Sequence, residues 1–213
     1  MAFRFLYPLL DRAGISWLFR DEFNTAASAP LASPRTAEPG PGTLLFTDSN
    51  NYLSVSGGKL VSSDCTAAGD PEFATGSSFA RTAGLAAFLK WQANATSRLW
   101  GFGFDELPEG PFRRSVTEFR IDQVYIVAND DEVDLPDTFT MAEEYKLAVI
   151  ARSAGTFHLV KGSTEFASWT LIWVDNAATV DPLYAGVSLR NQTGDQHQID
   201  YLRVAQLQAP FNS

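Results

Sequence analysis

Apolar and polar residues alternate with a period of two along most of the chain, and turn residues interrupt the alternation at short intervals. Tyr145, Leu147, Val149 and Ala151 share one face of a predicted strand. Ser153-Ala154-Gly155 is a turn, after which Phe157 and Leu159 alternate through Thr156 to Lys161. Lys161-Gly162-Ser163 turns the chain again into Phe166 to Val174, with Trp169, Leu171 and Trp173 on one face. These runs read as a β-meander. Leu183 to Leu189 and Ile199 to Leu207 add two strands.

The first half follows the same grammar. Leu44 to Thr47, Tyr52 to Ser56 and Lys59 to Ser62 are short strands, the last two joined by Gly57-Gly58 as a hairpin. Ala86 to Gln92 and Arg98 to Phe104 follow, then Ser115 to Ala128. In that last run Phe119 and Ile121 share a parity that Val124 and Ile126 break, which predicts a bulge or bend near Asp122-Gln123. Helical spacing is confined to Tyr7 to Leu18 and Ser78 to Leu85, interrupted by Gly14 and Gly84. Thr25 to Gly42, Ser63 to Gly76, Asp105 to Arg114 and Asn129 to Thr140 read as long loops. The predicted class is all-β, an antiparallel two-sheet β-sandwich. Residues 19 to 207 form the sandwich, 1 to 18 an N-terminal arm or first strand, and 208 to 213 a tail.

Composition narrows the function classes. The 213 residues include 25 acidic and 16 basic side chains, a net charge of -9. That disfavours nucleic acid as a partner, because a phosphate-backbone binder needs a basic footprint. Cys65 is the single cysteine, and His158 and His197 are the two histidines, so neither an internal disulfide nor a three-His zinc site is available. His158 alternates with Phe157 and Leu159, which predicts an outer-face position. The apolar run from Phe3 to Leu10 is broken by Arg4 and Pro8, so no secretory signal is expected. No apolar stretch reaches the roughly 20 residues of a membrane span. Phe3, Phe5, Leu6, Tyr7, Leu9 and Leu10 nonetheless cluster ahead of the module. They predict an assembly arm that packs on a neighbouring subunit.

The opening FRDEFNT (Phe19 to Thr25), the hairpin NYLSVSGGKLVSS (Asn51 to Ser63), YKLAVIARSAGTFHLVKG (Tyr145 to Gly162), WTLIWV (Trp169 to Val174) and IDYLRV (Ile199 to Val204) carry a resemblance. Together they resemble the concanavalin A-like, or laminin G-like, jelly-roll superfamily, of the type found in bacteriophage virion and tail-fibre proteins. The resemblance implies a concanavalin A-like jelly roll over residues 19 to 207. It also implies a virion location, reached after synthesis in the host cytoplasm, with other virion subunits or further copies of the chain as partners. The motifs are structural rather than catalytic.

Against that background three constellations stand out. In the superfamily, laminarinase-type retaining glycoside hydrolases carry Glu-x-Asp-x-(x)-Glu on one strand, where alternate carboxylates face one cleft. Glu132, Asp134 and Asp137 approach this pattern. They depart from it in the shorter last acid and in Pro136, which removes a ladder donor. Asp130, Asp131 and Asp134 are hard oxygen donors suited to calcium, which such domains often hold near a sandwich edge. Trp100, beside Gly101 and Gly103, and Trp91, with Gln92 and Asn94, are candidates for stacking on and hydrogen bonding to a carbohydrate. Trp169 and Trp173 read as core, and the sequons at Asn94 and Asn191 read as chance. Neither a Gly-x-Ser-x-Gly elbow nor a phosphate loop is present. The expectation is a non-catalytic structural or binding module, a capsid decoration or tail-fibre protein with a glycan-binding surface and no membrane insertion. The alternative is a laminarinase-like hydrolase using Glu132, Asp134 and Asp137.

Overall fold

The structure is a computed structural model. It describes residues 16–62, 70–81, 84–94, 99–108, 115–120, 123–128, 131–138, 140, 142–152, 155–164, 166–176, 182–190, 194 and 196–207. Within its strands the side chains of Trp100, Ser115, Arg120, Gln123, Ala128, Pro136, Asp137 and Thr138 lie outside the description. Cys65, Asp130 and Asn191 lie outside the described residues altogether.

In chain order the strands are β1 (Trp17–Asp21), β2 (Arg35–Thr36), β3 (Thr43–Thr47), β4 (Leu53–Ser56), β5 (Lys59–Ser62), β6 (Glu72–Thr75), β7 (Leu85–Ala93) and β8 (Leu99–Asp105). They continue as β9 (Ser115–Arg120), β10 (Gln123–Ala128), β11 (Asp131–Thr138), β12 (Glu144–Arg152), β13 (Gly155–Gly162), β14 (Phe166–Asp175), β15 (Tyr184–Leu189) and β16 (His197–Gln206). None of the described residues is helical. Sheet I runs β14-β13-β12-β7-β16-β5-β4, with β1 also on β16; sheet II runs β11-β10-β9-β8-β15-β6-β3-β2. Every pairing is antiparallel.

Period-two alternation places the core. Leu85, Leu89 and Trp91 of β7 and Tyr145, Leu147 and Val149 of β12 turn inward from sheet I. They meet Phe102 and Phe104 of β8, Phe119 of β9 and Val187 of β15. Rings interlock there, with Trp91 and Phe119 centroids 5.4 Å apart and Phe119 and Tyr145 centroids 5.7 Å apart.

Several expectations need correction. The phase break in Ser115 to Ala128 is a reversal of the chain. Arg120 pairs with Gln123 and Ser115 with Ala128, so β9 and β10 form a hairpin rather than one bulged strand. The acidic run is not a loop but β11, the edge strand of sheet II. An edge tolerates Pro136, whose missing donor a central position would expose as a broken ladder bond. The stretch Ser63 to Gly76 contains β6, which lies inside sheet II. Where Ser78 to Leu85 is described, it is extended: Phe79 bridges Leu183. Trp17 and Leu18 belong to β1, while the rest of Tyr7 to Leu18 is undescribed except Ser16.

The two faces of β13 are exchanged relative to the expectation. His158 is fully buried, and Nδ1 lies 3.0 Å from Oγ1 of Thr117, across the core on β9. Its neighbours Phe157 and Leu159 turn outward. On β14, His158 pairs with Trp173 and Leu159 with Leu171, so an extra residue, Ile172, interrupts the alternation. Trp173 therefore packs on the main core, whereas Leu171 and Trp169 join an apolar cluster on the outer face.

At the end of β1, Asp21 is fully buried. Its Oδ1 accepts the Phe23 N–H at 2.9 Å, and its Oδ2 accepts Arg35 Nε–H at 3.4 Å. The first bond holds Phe23 at φ 50, a left-handed conformation that drives the ring into the core beside Phe73. Desolvation pushes the Asp21 carboxyl up from its ordinary range, against the opposing pull of its hydrogen bonds and Arg35.

Candidate functional site

The outer face of sheet II carries a floor of small residues crossed by a polar row. Cross-strand register aligns Ala74, Gly186, Gly103, Val116, Val127 and Glu132 in one row. The next row holds Thr47, Glu72, Ser188 and Gly101, and continues with Glu118, Tyr125 and Asp134. Opposite partners in antiparallel strands share a face, so both rows point away from the core. The middle of both rows is buried, at Ala74, Gly186, Gly103, Val116 and Val127 and at Ser188, Gly101 and Glu118, and the rows reach solvent at their ends, at Thr47 on one side and at Glu132 and Asp134 on the other.

The polar row is hydrogen-bonded within itself: Ser188 Oγ–H donates to Glu72 Oε1 at 3.1 Å. Glu118 is 2% exposed, Tyr125 is half-buried and Asp134 is exposed. Glu118 and Asp134 flank Tyr125, two strand spacings apart, about 10 Å between backbones. At the accessible end of the rows, the exposed carboxylates of Glu132 and Asp134 beside half-buried Tyr125 suit hydroxyl-rich ligands, because each can hydrogen-bond a hydroxyl while the phenol ring offers a stacking face.

A bulge marks the middle of the row. Thr117 pairs with Phe102 and Phe119 with Leu99, so the single residue Glu118 opposes both Trp100 and Gly101. On the other side Ser188 pairs with Gly101 and Leu189 with Leu99, which again leaves Trp100 without a register partner. The backbone of Trp100 thus stands at a bulge beside the polar row; its side chain lies outside the described residues.

The other predicted carbohydrate residues do not gather around it. Trp91 is 1% exposed and packed between the sheets, so its ring offers no face to a sugar. Its Nε1–H donates to Nδ1 of His197 at 3.2 Å. Gln92 lies in register with Glu144 and Gln198 on the outer face of the opposite sheet, where its amide donates to the Ala142 carbonyl at 3.1 Å. Asn94 donates to the Gly194 carbonyl and accepts the Gln196 N–H at 3.4 Å, closing a loop. Trp91 and Gln92 are successive residues on a strand, so their side chains take opposite faces, a consequence of pleating that their closeness in sequence conceals.

The proposed calcium ligands separate for the same reason. Asp134 lies in the outward row with Tyr125, whereas Asp131 pairs with Ala128 and is three residues away along β11. That odd spacing puts Asp131 on the other face. Asp130 is outside the described residues, and among the described residues no group of three or more His, Cys, Asp or Glu is placed to hold a metal ion. Of the hydrolase candidates, Glu132 and Asp134 do share the outer face, both exposed, while the Asp137 side chain is not described.

Glu72, Glu118 and Tyr125 were not singled out by sequence reasoning. Glu118 was legible as the outward residue between inward Thr117 and Phe119. Its juxtaposition with Tyr125 required the β9–β10 hairpin, and that of Glu72 required β6 to be a strand.

The histidines are structural. His197 Nε2–H donates to the Arg190 carbonyl at 2.9 Å, and the His197 backbone N–H donates to Ser62 Oγ at 2.8 Å. Burial lowers its pKa to about 4, against the pull of the Arg190 carbonyl, and lowers that of His158 to about 3. Both rings are neutral at physiological pH.

Two antiparallel sheets in this order, packed over one core, match a large group of solved structures. The fold is the concanavalin A-like jelly roll. One relative in shape belongs to the endo-acting O-glycanases that prominent members of the human gut microbiota express to initiate mucin breakdown. It has 15% identity and a TM-score of 0.61, and the match covers 91% of this chain and 100% of that one. LamAcat from Zobellia galactanivorans matches with 10% identity and a TM-score of 0.59, over 90% of this chain and 98% of its own. The exoplasmic/lumenal domain of VIP36, in a Ca2+/Man3GlcNAc-bound form, matches with 11% identity and a TM-score of 0.57, over 79% and 88%. These identities establish a shared fold alone. No protein-family model matches the chain, and no curated protein matches it by sequence.

Proposed function

We propose that the protein is a non-catalytic module that binds glycans on the outer face of sheet II, and that it serves on a bacteriophage virion as a decoration or fibre protein. The observation that carries the binding reading is the accessible end of the outer face of sheet II, where Asp134 and Glu132 stand exposed in register beside half-buried Tyr125. Support also comes from shape: proteins of this fold include a lectin-like domain with a bound mannose oligosaccharide and glycoside hydrolases. The virion location rests on the resemblance of the strand motifs to phage modules.

A hydrolytic role would use Glu132, Asp134 and Asp137, of which Glu132 and Asp134 share the outer face. Both are solvent-exposed on an edge strand. Hydrolysis by a carboxylate pair takes place in a cleft that shields the scissile bond from water, whereas these two carboxylates are exposed at the sheet edge. The binding reading is therefore preferred.

The test is a glycan-array screen of the full chain, followed by titration of a bound glycan against Tyr125→Ala and Asp134→Asn. Binding that weakens about tenfold or more in both variants, with the fold intact by circular dichroism, is the expected result. Absence of any glycan ligand, or an affinity equal to the parent's in both variants, would refute the assignment. Detection of the chain in purified particles by mass spectrometry tests the virion location separately.

A further inference from the structure

The chain has four lysines, Lys59, Lys90, Lys146 and Lys161, among its 16 basic residues. The fold gathers all four on the outer face of sheet I. Lys59 stands on β5, Lys90 on β7, Lys146 on β12 and Lys161 on β13. Their neighbours along the strands, Leu60, Leu89, Trp91, Tyr145, Leu147 and Val160, belong to the core between the sheets. Pleating therefore turns each lysine outward.

Three of the lysines form one row. Lys146 is the register partner of Lys90 on one side and of Lys161 on the other, and Lys90 in turn stands opposite Tyr201 of β16. Directly opposed side chains on one face are about 5 Å apart at Cβ, and like charges there repel. Two carboxylates offset part of the charge. Asp200 meets Lys59 at 3.2 Å and also binds Lys90, and Glu144 meets Lys90 at 2.8 Å. Both carboxylates thus converge on Lys90. Among the described residues no ion pair reaches Lys146, the middle of the row. In a chain of net charge -9, this concentration of cations is a local feature rather than a consequence of composition.

We infer that the lysine row of sheet I is a binding site for an acidic polysaccharide, one that carries a sulfate or carboxylate on successive sugars. The spacing fits. One ammonium per strand, about 4.8 Å apart, is close to the length of one pyranose, so a polymer lying across the strands meets a cation at each sugar. Lysine suits the task, because a compact ammonium on a flexible stem pairs with either anion without the fixed fork of arginine. Amides stand beside the row for sugar hydroxyls: Gln198, exposed, and Gln92, half-buried, are register partners on the same face. A membrane surface fits less well. All four lysines are half-buried rather than protruding. Among the described residues the exposed large apolar side chain is Leu107, which follows β8 of the other sheet. The inference does not depend on the glycan reading of sheet II, since it uses the opposite face.

The experiment is titration of the full chain with dextran sulfate and with polygalacturonate, against uncharged dextran as the blank. The expected result is binding to at least one polyanion and none to dextran, with affinity falling about tenfold or more when salt is raised fourfold. Lys146→Gln and Lys161→Gln should each weaken binding about threefold to fivefold, and the double variant more than about tenfold. Either single variant suffices if the other fails to fold by circular dichroism. Arg152→Gln lies about 20 Å further along β12 and should bind like the parent, as should Tyr125→Ala on sheet II. No binding to either polyanion, no loss in the folded lysine variants, or an equal loss in Arg152→Gln would overturn the inference. So would tighter binding to phosphatidylserine vesicles than to both polysaccharides. Loss in Tyr125→Ala alone would move the polyanion to sheet II and overturn the site on sheet I.

Discussion

The indole N–H of Trp91 donates to Nδ1 of His197 at 3.2 Å, with the two rings near parallel at 29° and 6.3 Å between centroids. The bond fixes the His197 tautomer, since Nδ1 must accept and Nε2 then carries the proton it gives to the Arg190 carbonyl. Trp91→Phe keeps the ring but leaves Nδ1 buried and unpaired. Such a loss costs about 1–3 kcal/mol. Urea unfolding should report it, and glycan affinity should be unchanged; a variant that unfolds like the parent but loses glycan binding would return Trp91 to the ligand site.

Stability should fall on acidification because of His158. Its pKa drops from an ordinary 6.5 to about 3 in the fold, through burial. Between those values the unfolded chain binds more protons than the native one, so stability is lost as pH falls. By pH 4 the loss from this residue amounts to about 3 kcal/mol, at 1.36 kcal/mol per pH unit. The variant His158→Gln removes that titration. Thermal melts from pH 7 to pH 4 should show a shallower decline for the variant, and parallel declines would contradict the assignment.

The Asp21 and Arg35 pair is buried, at 0% and 9% exposure. Asp21→Ala removes the buried one of the two carboxylates beside the guanidinium, leaving Glu38 at 3.5 Å, and frees the Phe23 N–H. Removing one partner of a buried pair costs about 3–5 kcal/mol. Asp21→Asn keeps an acceptor for Phe23 and should cost less. Equal destabilisation in the two variants would show that charge, not the hydrogen bond to Phe23, is what matters at the end of β1.

Calcium provides a sharp check on β11. Asp131 and Asp134 lie on opposite faces of that strand, so a single ion does not engage both. Asp131→Asn should therefore leave unchanged any calcium-induced rise in melting temperature that depends on Asp134. Loss of the same rise in both single variants would place the two carboxylates on one ion.

Much of the architecture follows from alternation alone. The strands from Tyr145 to Val174, the Gly57-Gly58 hairpin and the closing strand through Ile199 to Leu207 are legible because pleating forces a period of two wherever one face is buried. Residue chemistry likewise disfavours nucleic acid and a disulfide framework. Alternation does not say which face is which. Phe157 and Leu159 carry the apolar signal on β13, yet His158 is the residue that turns into the core. A second apolar cluster lies on the outside of sheet I, so apolar character no longer marks the inside there. Parity also fails to distinguish a bulge from a reversal, so the β9–β10 hairpin, and with it the meeting of Glu118 and Tyr125, exists only in three dimensions. The same limit separates Trp91 from Gln92 and Asp131 from Asp134: neighbours in sequence that pleating sends to opposite faces. The candidate site is a row across strands from distant parts of the chain, and cross-strand register is a property of the folded sheet rather than of any segment.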